Sequence, residues 1–490
     1  MGKRKRGSVS VEVCDDGQSL SNHHGTTTSG KHLEQAHKLV KAQETVVTEP
    51  IRVQIIIGTY ERILHGFLAT IVLERSSFDT AGATFADTFL FNAHASAIRC
   101  LATSPRSNDT DRVLLASGGS DQMVNLYSLS CVQSSPPSTK HPPVSAMKGQ
   151  NITENAPNRE VGSLQHHAGG VNVLCFPTKS KLLTAADDNT IAVARTKDWT
   201  ILSTIKVPTP KVRGQASGDT APTSAGATGV NDLAIHPSMK LMISVGKGER
   251  CMRLWNLVTG KRAAVLNFDR QHLQAIGERK HSIGEGRKVR WNGSGEEFVV
   301  AFDRGCLIYG IDSKPKCYLL PMPRTKIHQI RYFTIRNSSV ENAQELLALS
   351  TDDGRLLFYS TRSLQFTLHT TSPLTVSVPL CEPIAQLGGL SQSTVGRVKD
   401  FEMISLPNCQ VSLIVTGSSD GAVRLWLIDE GELWKLATST SKASESFHGT
   451  MSQTTCFTEE VPGTLQVGRL VDTYETGHRV TCLKALVMST

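Results

Sequence analysis

The sequence predicts an all-β protein, a seven-bladed β-propeller closed by a C-terminal strand that completes the N-terminal blade. Three observations predict it. An acidic turn residue followed six positions later by an aromatic side chain recurs along the chain. An alternating apolar run stands upstream of most copies. The first and last copies are each incomplete, and their defects complement one another.

The motif is plainest in "VTGSSDGAVRLWLID", residues 415–429. Val415 and Thr416 are β-formers, Ser-Asp-Gly is turn chemistry, and Val423, Leu425 and Leu427 alternate, so the stretch reads as strand, tight turn, strand. Asp420 stands six residues before Trp426. The same spacing joins Glu61 to Phe67, Asp121 to Tyr127, Glu249 to Trp255, Asp303 to Tyr309 and Asp353 to Tyr359. A degenerate copy has Asp188, with Ala194 in the aromatic place. The seven turn residues are spaced by 60, 67, 61, 54, 50 and 67 positions. A base unit of about 45 residues with insertions fits that series.

The upstream runs include "HASAIRCLA", "HAGGVNVLCF", "VNDLAIHP", "KIHQIRYF" and "RVKDFEMI". Each unit therefore holds a first strand, a second strand, the tight turn and a third strand, with a fourth following. Four-stranded sheets repeated radially form a propeller. Because the turn residue comes once per blade, the spacing assigns Glu61, Asp121, Asp188, Glu249, Asp303, Asp353 and Asp420 a structural role, pinning strands in register. "GHRVTCLKALVM" at 477–488 is a first strand without a second, and "VQIIIGTYERILHGFLA" at 53–69 lacks a first strand. Pairing the two removes both exposed sheet edges.

Residues 1–49 read as a polar, basic tail and residues 50–490 as the propeller, with insertions near 131–160, 208–229, 364–395 and 437–465. These stretches are rich in Ser, Thr, Pro or Gly and carry too few apolar residues for a second core. No run of eighteen apolar residues exists, and the N-terminal "MGKRKRGSVS" has charge with no apolar run behind it, unlike a secretory leader. The eleven cysteines include no C-x-x-C pair, which points to reduced thiols and away from structural zinc.

No Walker-type loop, G-x-S-x-G, H-E-x-x-H or kinase signature is present. The sequence therefore predicts a non-enzymatic protein without a cofactor or a metal. Its charge points elsewhere. The formal net charge is +8, and residues 247–290 hold eleven Lys and Arg against four carboxylates. In a propeller the turn between strands two and three lies on the same face as the connection into the next blade. That face should gather Lys247, Arg250, Arg279, Lys280, Arg287 and Lys288 into a rim suited to phosphates or an acidic protein. Aromatic side chains are few there, so contact with RNA should be to its backbone. Lys3, Arg4, Lys5 and Arg6 form a second basic cluster, suited to nuclear import or electrostatic tethering.

The propeller units resemble WD repeats: Trp255 and Trp426 end the third strand where that family has its tryptophan, and Gly477-His478 matches its "GH". "GTYERILHGF", "NAHASAIRCLA", "LWNLVTGKRA", "VRWNGSGEEFVVAF" and "RVKDFEM" before "VTGSSDGAVRLW" narrow the resemblance to the PAK-kinase-interacting WD-repeat proteins, nucleolar assembly factors of the large ribosomal subunit. The resemblance spans most of 53–488. It implies a nuclear and nucleolar scaffold that binds pre-ribosomal particles through assembly factors, ribosomal proteins and rRNA backbone. It also implies, as an alternative, a signalling adapter that binds and inhibits a PAK-type kinase. In the family the histidine leading the first strand donates a hydrogen bond to the turn aspartate. Glu249 departs from that aspartate, and Ala194 leaves one blade without its aromatic residue.

Overall fold

The computed structural model describes residues 50–72, 82–106, 111–132, 158–209, 228–278, 282–337, 340–362, 378–392, 394, 396–406, 410–442 and 464–488. The tail 1–49 lies outside them, as do 133–157, 210–227, 364–377 and 443–463 within the expected insertions.

The described strands form seven sheets, antiparallel except for one short parallel pair, arranged as a propeller. Blade one contains β1 (Ile51–Thr59), β2 (Ile63–Val72) and β3 (Gly82–Asn92). Blade two contains β4 (Ile98–Thr103), β5 (Arg112–Gly119), β6 (Val124–Ser130) and β7 (Arg159–Leu164). Blade three contains β8 (Val171–Thr178), β9 (Lys181–Ala186), β10 (Thr190–Arg195) and β11 (Ile201–Lys206). Blade four contains β12 (Val230–Ile235), β13 (Leu241–Gly246), β14 (Cys251–Asn256) and β15 (Lys261–Asn267), and is followed by helix α1 (Arg270–Ala275). Blade five contains β16 (Lys288–Trp291), β17 (Glu297–Ala301), β18 (Cys306–Gly310) and β19 (Pro315–Leu319). Blade six contains β20 (Ile327–Asn337), β21 (Val340–Thr351), β22 (Arg355–Tyr359) and, after the two-residue β23 (Leu380–Cys381), β24 (Ala385–Gly388). Blade seven contains β25 (Val398–Ser405), β26 (Val411–Ser418), β27 (Ala422–Asp429) and β28 (Arg469–Glu475), with helix α2 (Glu430–Lys442) between the last two. The final strand, β29 (Val480–Val487), returns to blade one and pairs with β1 from Val53↔Val487 to Thr59↔Val480.

Burial follows position in the blade. Middle strands are covered on both faces by neighbouring blades, so β17 (EFVVA) and β26 (VSLIVTGS) are buried at every residue. Outer strands face water, and β11 and β15 are mostly exposed. The core consists of apolar layers between blades. The layer joining blades seven and one holds Phe67, Leu413, Val415, Leu425, Val480 and Leu483. Each such side chain contributes roughly 1.5–3 kcal/mol through burial.

Two of the expected insertions are narrower than the composition suggested. Within 364–395, β24 is the outer strand of blade six, and β23 pairs in parallel with β19. Within 437–465, residues 437–442 belong to α2, which buries Leu433 and Ala437. Strands of two and four residues are too short to display alternation.

The tight turns carry the motif. Gly354 and Gly421 follow their aspartates at φ 83° and 92°, the left-handed region that glycine enters without strain. A Cβ on Gly354 would also strike the Thr394 carbonyl oxygen at 2.3 Å.

Candidate functional site

The innermost strands β29, β4, β8, β12, β16, β20 and β25 contact one another in that order around the ring, and β25 meets β29 again. Side chains from one blade's inner strand reach the backbone of the next. Asn172 Nδ2 donates to Val230 O (2.9 Å), Asn231 Nδ2 to Gly286 O (2.9 Å) and Thr481 Oγ1 to Ile98 O (2.6 Å). One step further along the strands, Asp232 accepts from Val289 N and Asp400 from Leu483 N, both at 3.0 Å.

The turn residues use different partners in different blades. In blade two, Asp121 accepts from His94 Nδ1 (3.0 Å), Ala95 N (2.8 Å) and Met123 N (3.2 Å). A carboxylate can only accept, so His94 carries its proton on Nδ1, and Nε2 accepts from Ser117 Oγ (2.8 Å). Blade three repeats this with Asp188, His167 and Thr184. Burial depresses both histidines, outweighing the aspartates that favour their charged forms, so both rings are neutral. Blades four and seven hold the other half of the arrangement: Trp255 Nε1 donates to Ser244 Oγ (2.8 Å) and Trp426 Nε1 to Thr416 Oγ1 (3.1 Å).

Elsewhere the turns depart from that pattern. Glu249 is buried against Arg253, which donates to both its oxygens. Asp303 pairs with Arg287 (2.7 Å), and Asp420 accepts from Ala422 N and Arg424. Glu61 accepts from Arg479 N (3.0 Å). In blade six His328 reaches Asp352, while Asp353, the residue the spacing singles out, holds Thr351 and Arg355.

Among the rim residues, Lys247 and Arg250 flank the β13–β14 turn, and the 282–287 segment packs on it. Arg250 donates to the carbonyls of Ser282 (2.9 Å) and Ile283, and Glu285 accepts from Gly248 N (2.8 Å). Lys247 pairs with Asp187, which also accepts from Arg99 (2.7 Å) and Asn172 (2.6 Å). Burial pushes the Asp187 carboxyl up, but these hydrogen bonds more than reverse it and hold it below its ordinary range. Lys288 faces the central channel. Arg279 and Lys280 lie outside the described residues, as do Lys3, Arg4, Lys5 and Arg6.

The channel itself is the feature the sequence reading missed. A cavity of about 250 Å³ is lined by Arg99, Lys288, Arg290, Arg331, Lys399 and Lys484, against the carboxylates of Asp232 and Asp400. Arg290 pairs with Asp232 (2.7 Å), Arg331 with Asp400 (3.1 Å) and Glu402 (3.0 Å), and Lys484 with Glu402. Burial raises the Asp400 carboxyl, yet Arg331 and Lys484 overcome it and keep it ionised. The signal was present in "AIRCLA", "KIHQIRYF", "RVKDFEM" and "RVTCLKA", where charges interrupt first strands. Among the described residues no cluster of His, Cys, Asp or Glu could hold a metal ion, and no helix is long and apolar enough to cross a membrane.

Residues 86–128 and 158–193 match the WD domain, G-beta repeat. The chain is 25% identical over 413 residues to the "p21-activated protein kinase-interacting protein 1-like" of Xenopus laevis, covering 84% of this chain and 82% of that one. It is 26% identical over 390 residues to Protein MAK11 of Saccharomyces cerevisiae, covering 76% of this chain and 77% of that one. The "Shk1 kinase-binding protein 15" of Schizosaccharomyces pombe is 26% identical over 211 residues, 43% of this chain and 45% of that one. These relatives support the resemblance to the PAK-kinase-interacting WD-repeat family. The chain is a seven-bladed propeller that carries WD repeats.

Proposed function

We propose that the protein is a non-enzymatic scaffold in assembly of the large ribosomal subunit, acting in the nucleus and nucleolus. In this reading the propeller holds assembly factors and ribosomal proteins, and its cationic rim contacts rRNA backbone. The observation that carries the proposal is the junction of the 247–250 turn with the 282–287 segment through Arg250 and Glu285, within a stretch of eleven cations and four carboxylates. The Arg287–Asp303 pair is only partly covered, so a phosphate can compete for the guanidinium at little cost.

The test replaces Arg250, Arg279, Lys280, Arg287 and Lys288 by Gln and follows sedimentation with large-subunit precursors on sucrose gradients. The expected result is a folded variant that leaves the particles, with affinity falling less steeply with salt by about one unit of slope per lost phosphate contact. A soluble five-fold variant that binds particles like the parent at every salt concentration overturns the rim assignment.

A second reading is favoured by two relatives whose names describe them as kinase-interacting or kinase-binding. On it the propeller is an adapter that binds and inhibits a PAK-type kinase. Recovery of such a kinase in pulldowns, without ribosomal RNA or precursor particles, supports this reading over the first.

A further inference from the structure

Two ammonium groups in the channel, those of Lys288 and Lys399, form no ion pair within 4.0 Å among the described residues, although Asp352 lies near Lys399. Arg99, Arg290, Arg331 and Lys484 each meet a carboxylate, whereas Lys288 makes no ion pair or hydrogen bond there. Lys399 Nζ lies 3.1 Å from His328 Nε2, its only polar contact among the described residues. That nitrogen is also 2.7 Å from Asp352 Oδ1. Asp352 can only accept, so the Nε2 proton is committed to it, and His328 offers Lys399 no lone pair. The Lys399 ammonium is left without an acceptor.

We propose that the channel binds a small polyvalent oxyanion of the phosphate class, such as pyrophosphate, held by Lys288 of blade five and Lys399 of blade seven. Both side chains line the same cavity of about 250 Å³. That volume suits a compact anion and is below the usual range for larger organic ligands, roughly 300–1,000 Å³. The lining is polar and cationic. Charge-assisted bonds from two ammonium groups would hold the anion.

The surroundings of Lys399 fit this assignment. Burial, with repulsion from Arg397, Arg479 and Lys326, pulls the ammonium down to about 8 against the opposing pull of Asp352. His328 is pushed to about 4, first by burial and then by Lys399, so the ring does not compete as a cation near neutral pH. Lys326 and His328 approach on the β20 side, Asp352 from the β21–β22 turn, Arg397 ahead of β25 and Arg479 ahead of β29. Raising the pH from 7 to 9 removes the Lys399 charge and should weaken anion binding.

The proposal shares Lys288 with the rim set but does not rest on the ribosomal reading: its test needs no particle, and Lys399 lies outside that set. Pyrophosphate, tripolyphosphate and orthophosphate are titrated into the full-length protein and followed by phosphorus NMR, with sodium chloride at matched ionic strength as control. The parent should shift or broaden the pyrophosphate line at pH 7 and do so less at pH 9. Replacing both Lys288→Met and Lys399→Met should weaken binding by about 10–100-fold per lost contact, while the anion-free variant melts no lower than the parent. If the double variant does not fold, Lys399→Gln alone and the pH comparison on the parent carry the test. Absence of a pyrophosphate response in the parent, a response that chloride reproduces, or equal affinity in a folded variant overturns the proposal.

Discussion

Glu61 and Arg479, 418 residues apart in the chain, share a hydrogen bond of 3.0 Å between the Glu61 carboxylate and the Arg479 backbone N–H. Tyr60 N donates to Arg479 O (2.9 Å), and the Arg479 guanidinium lies 5.5 Å from the centre of the Tyr60 ring. Thus the turn of the first blade grips the strand that arrives last. Deleting residues 478–488 removes β29, exposes the edge of β1, and uncovers the layer containing Val415 and Leu425. The expected outcome is aggregation and loss of a single cooperative urea transition. A truncated chain with the parent's midpoint and slope contradicts closure by this strand.

The two kinds of turn aspartate should differ in their worth. Asp121→Ala strips acceptors from His94 Nδ1, Ala95 N and Met123 N, and His94 is fully enclosed. An unsatisfied buried group costs about 1–3 kcal/mol. Asp353→Ala loses a partly exposed pair with Arg355, which keeps the Met322 carbonyl at 2.7 Å. Its cost should lie near about 0–1 kcal/mol, as for surface pairs. Urea denaturation of both variants makes the comparison, and a larger loss for Asp353→Ala reverses the argument.

How far the sequence discloses such differences depends on the distance over which the cause acts. The seven turns, the strand order and the closure are local or symmetric signals, and they are legible from spacing alone. The partner of a turn residue is not. Lys247 reads as a free rim cation, yet its counter-ion Asp187 lies 60 residues away in another blade. His328 bonds the aspartate one place before the one the spacing marks, because it stands second in β20, where Arg99 stands in β4, and not ahead of the strand as His94 does. The channel cations were visible as charges in strands expected to alternate, but only the ring brings β4, β16, β20, β25 and β29 to one cavity.

Acid should destabilise the propeller well above the range in which its carboxylates protonate. His65, His94, His166, His167 and His328 are all depressed, in each case first by burial, and His166 and His328 reach about 4. Their partners Asp87, Asp121, Asp188 and Asp352 oppose the shift without cancelling it. The unfolded chain takes up these protons below about pH 6.5 while the fold stays neutral, so the unfolded state binds more protons and stability falls as pH falls from there toward about 4. The depressed aspartates Asp187, Asp188 and Asp400 add their losses only below about pH 4. Urea midpoints measured from pH 7.5 to 4.5 should decline, and His328→Gln should flatten the slope. Constant midpoints between pH 7 and 5 would exclude the histidine contribution.

Replacing Lys3, Arg4, Lys5 and Arg6 by Ala should lower nuclear accumulation without changing the melting of the propeller, because these residues precede its first strand. Fluorescence microscopy of tagged parent and variant, with thermal melts of both, reads the two effects separately. Unchanged nuclear entry assigns import to another signal or to a carried partner.

The strongest single-residue effect is expected at Asp400, where three blades meet. Its carboxylate accepts from Arg331 (3.1 Å) and Gln329 (3.1 Å) of β20, and from Leu483 N (3.0 Å) of β29, while belonging to β25 itself. Arg331 also leans over the Phe401 ring at 5.7 Å and has Glu402 as a second counter-charge. Asp400→Ala leaves the Arg331 guanidinium half-compensated in a covered site and orphans Leu483 N at the closing strand. Removal of one partner from a buried pair costs about 3–5 kcal/mol. Glu402 should hold the loss to the lower end of that range. Asp400→Asn keeps an acceptor for one donor but no charge, and should fall between alanine and the parent. Adding Arg331→Met to Asp400→Ala removes the unpaired cation, so the double variant should recover part of the loss, a positive coupling measurable in a double-mutant cycle. Strict additivity of the two substitutions would mean that Arg331 draws its compensation from Glu402 and not from Asp400.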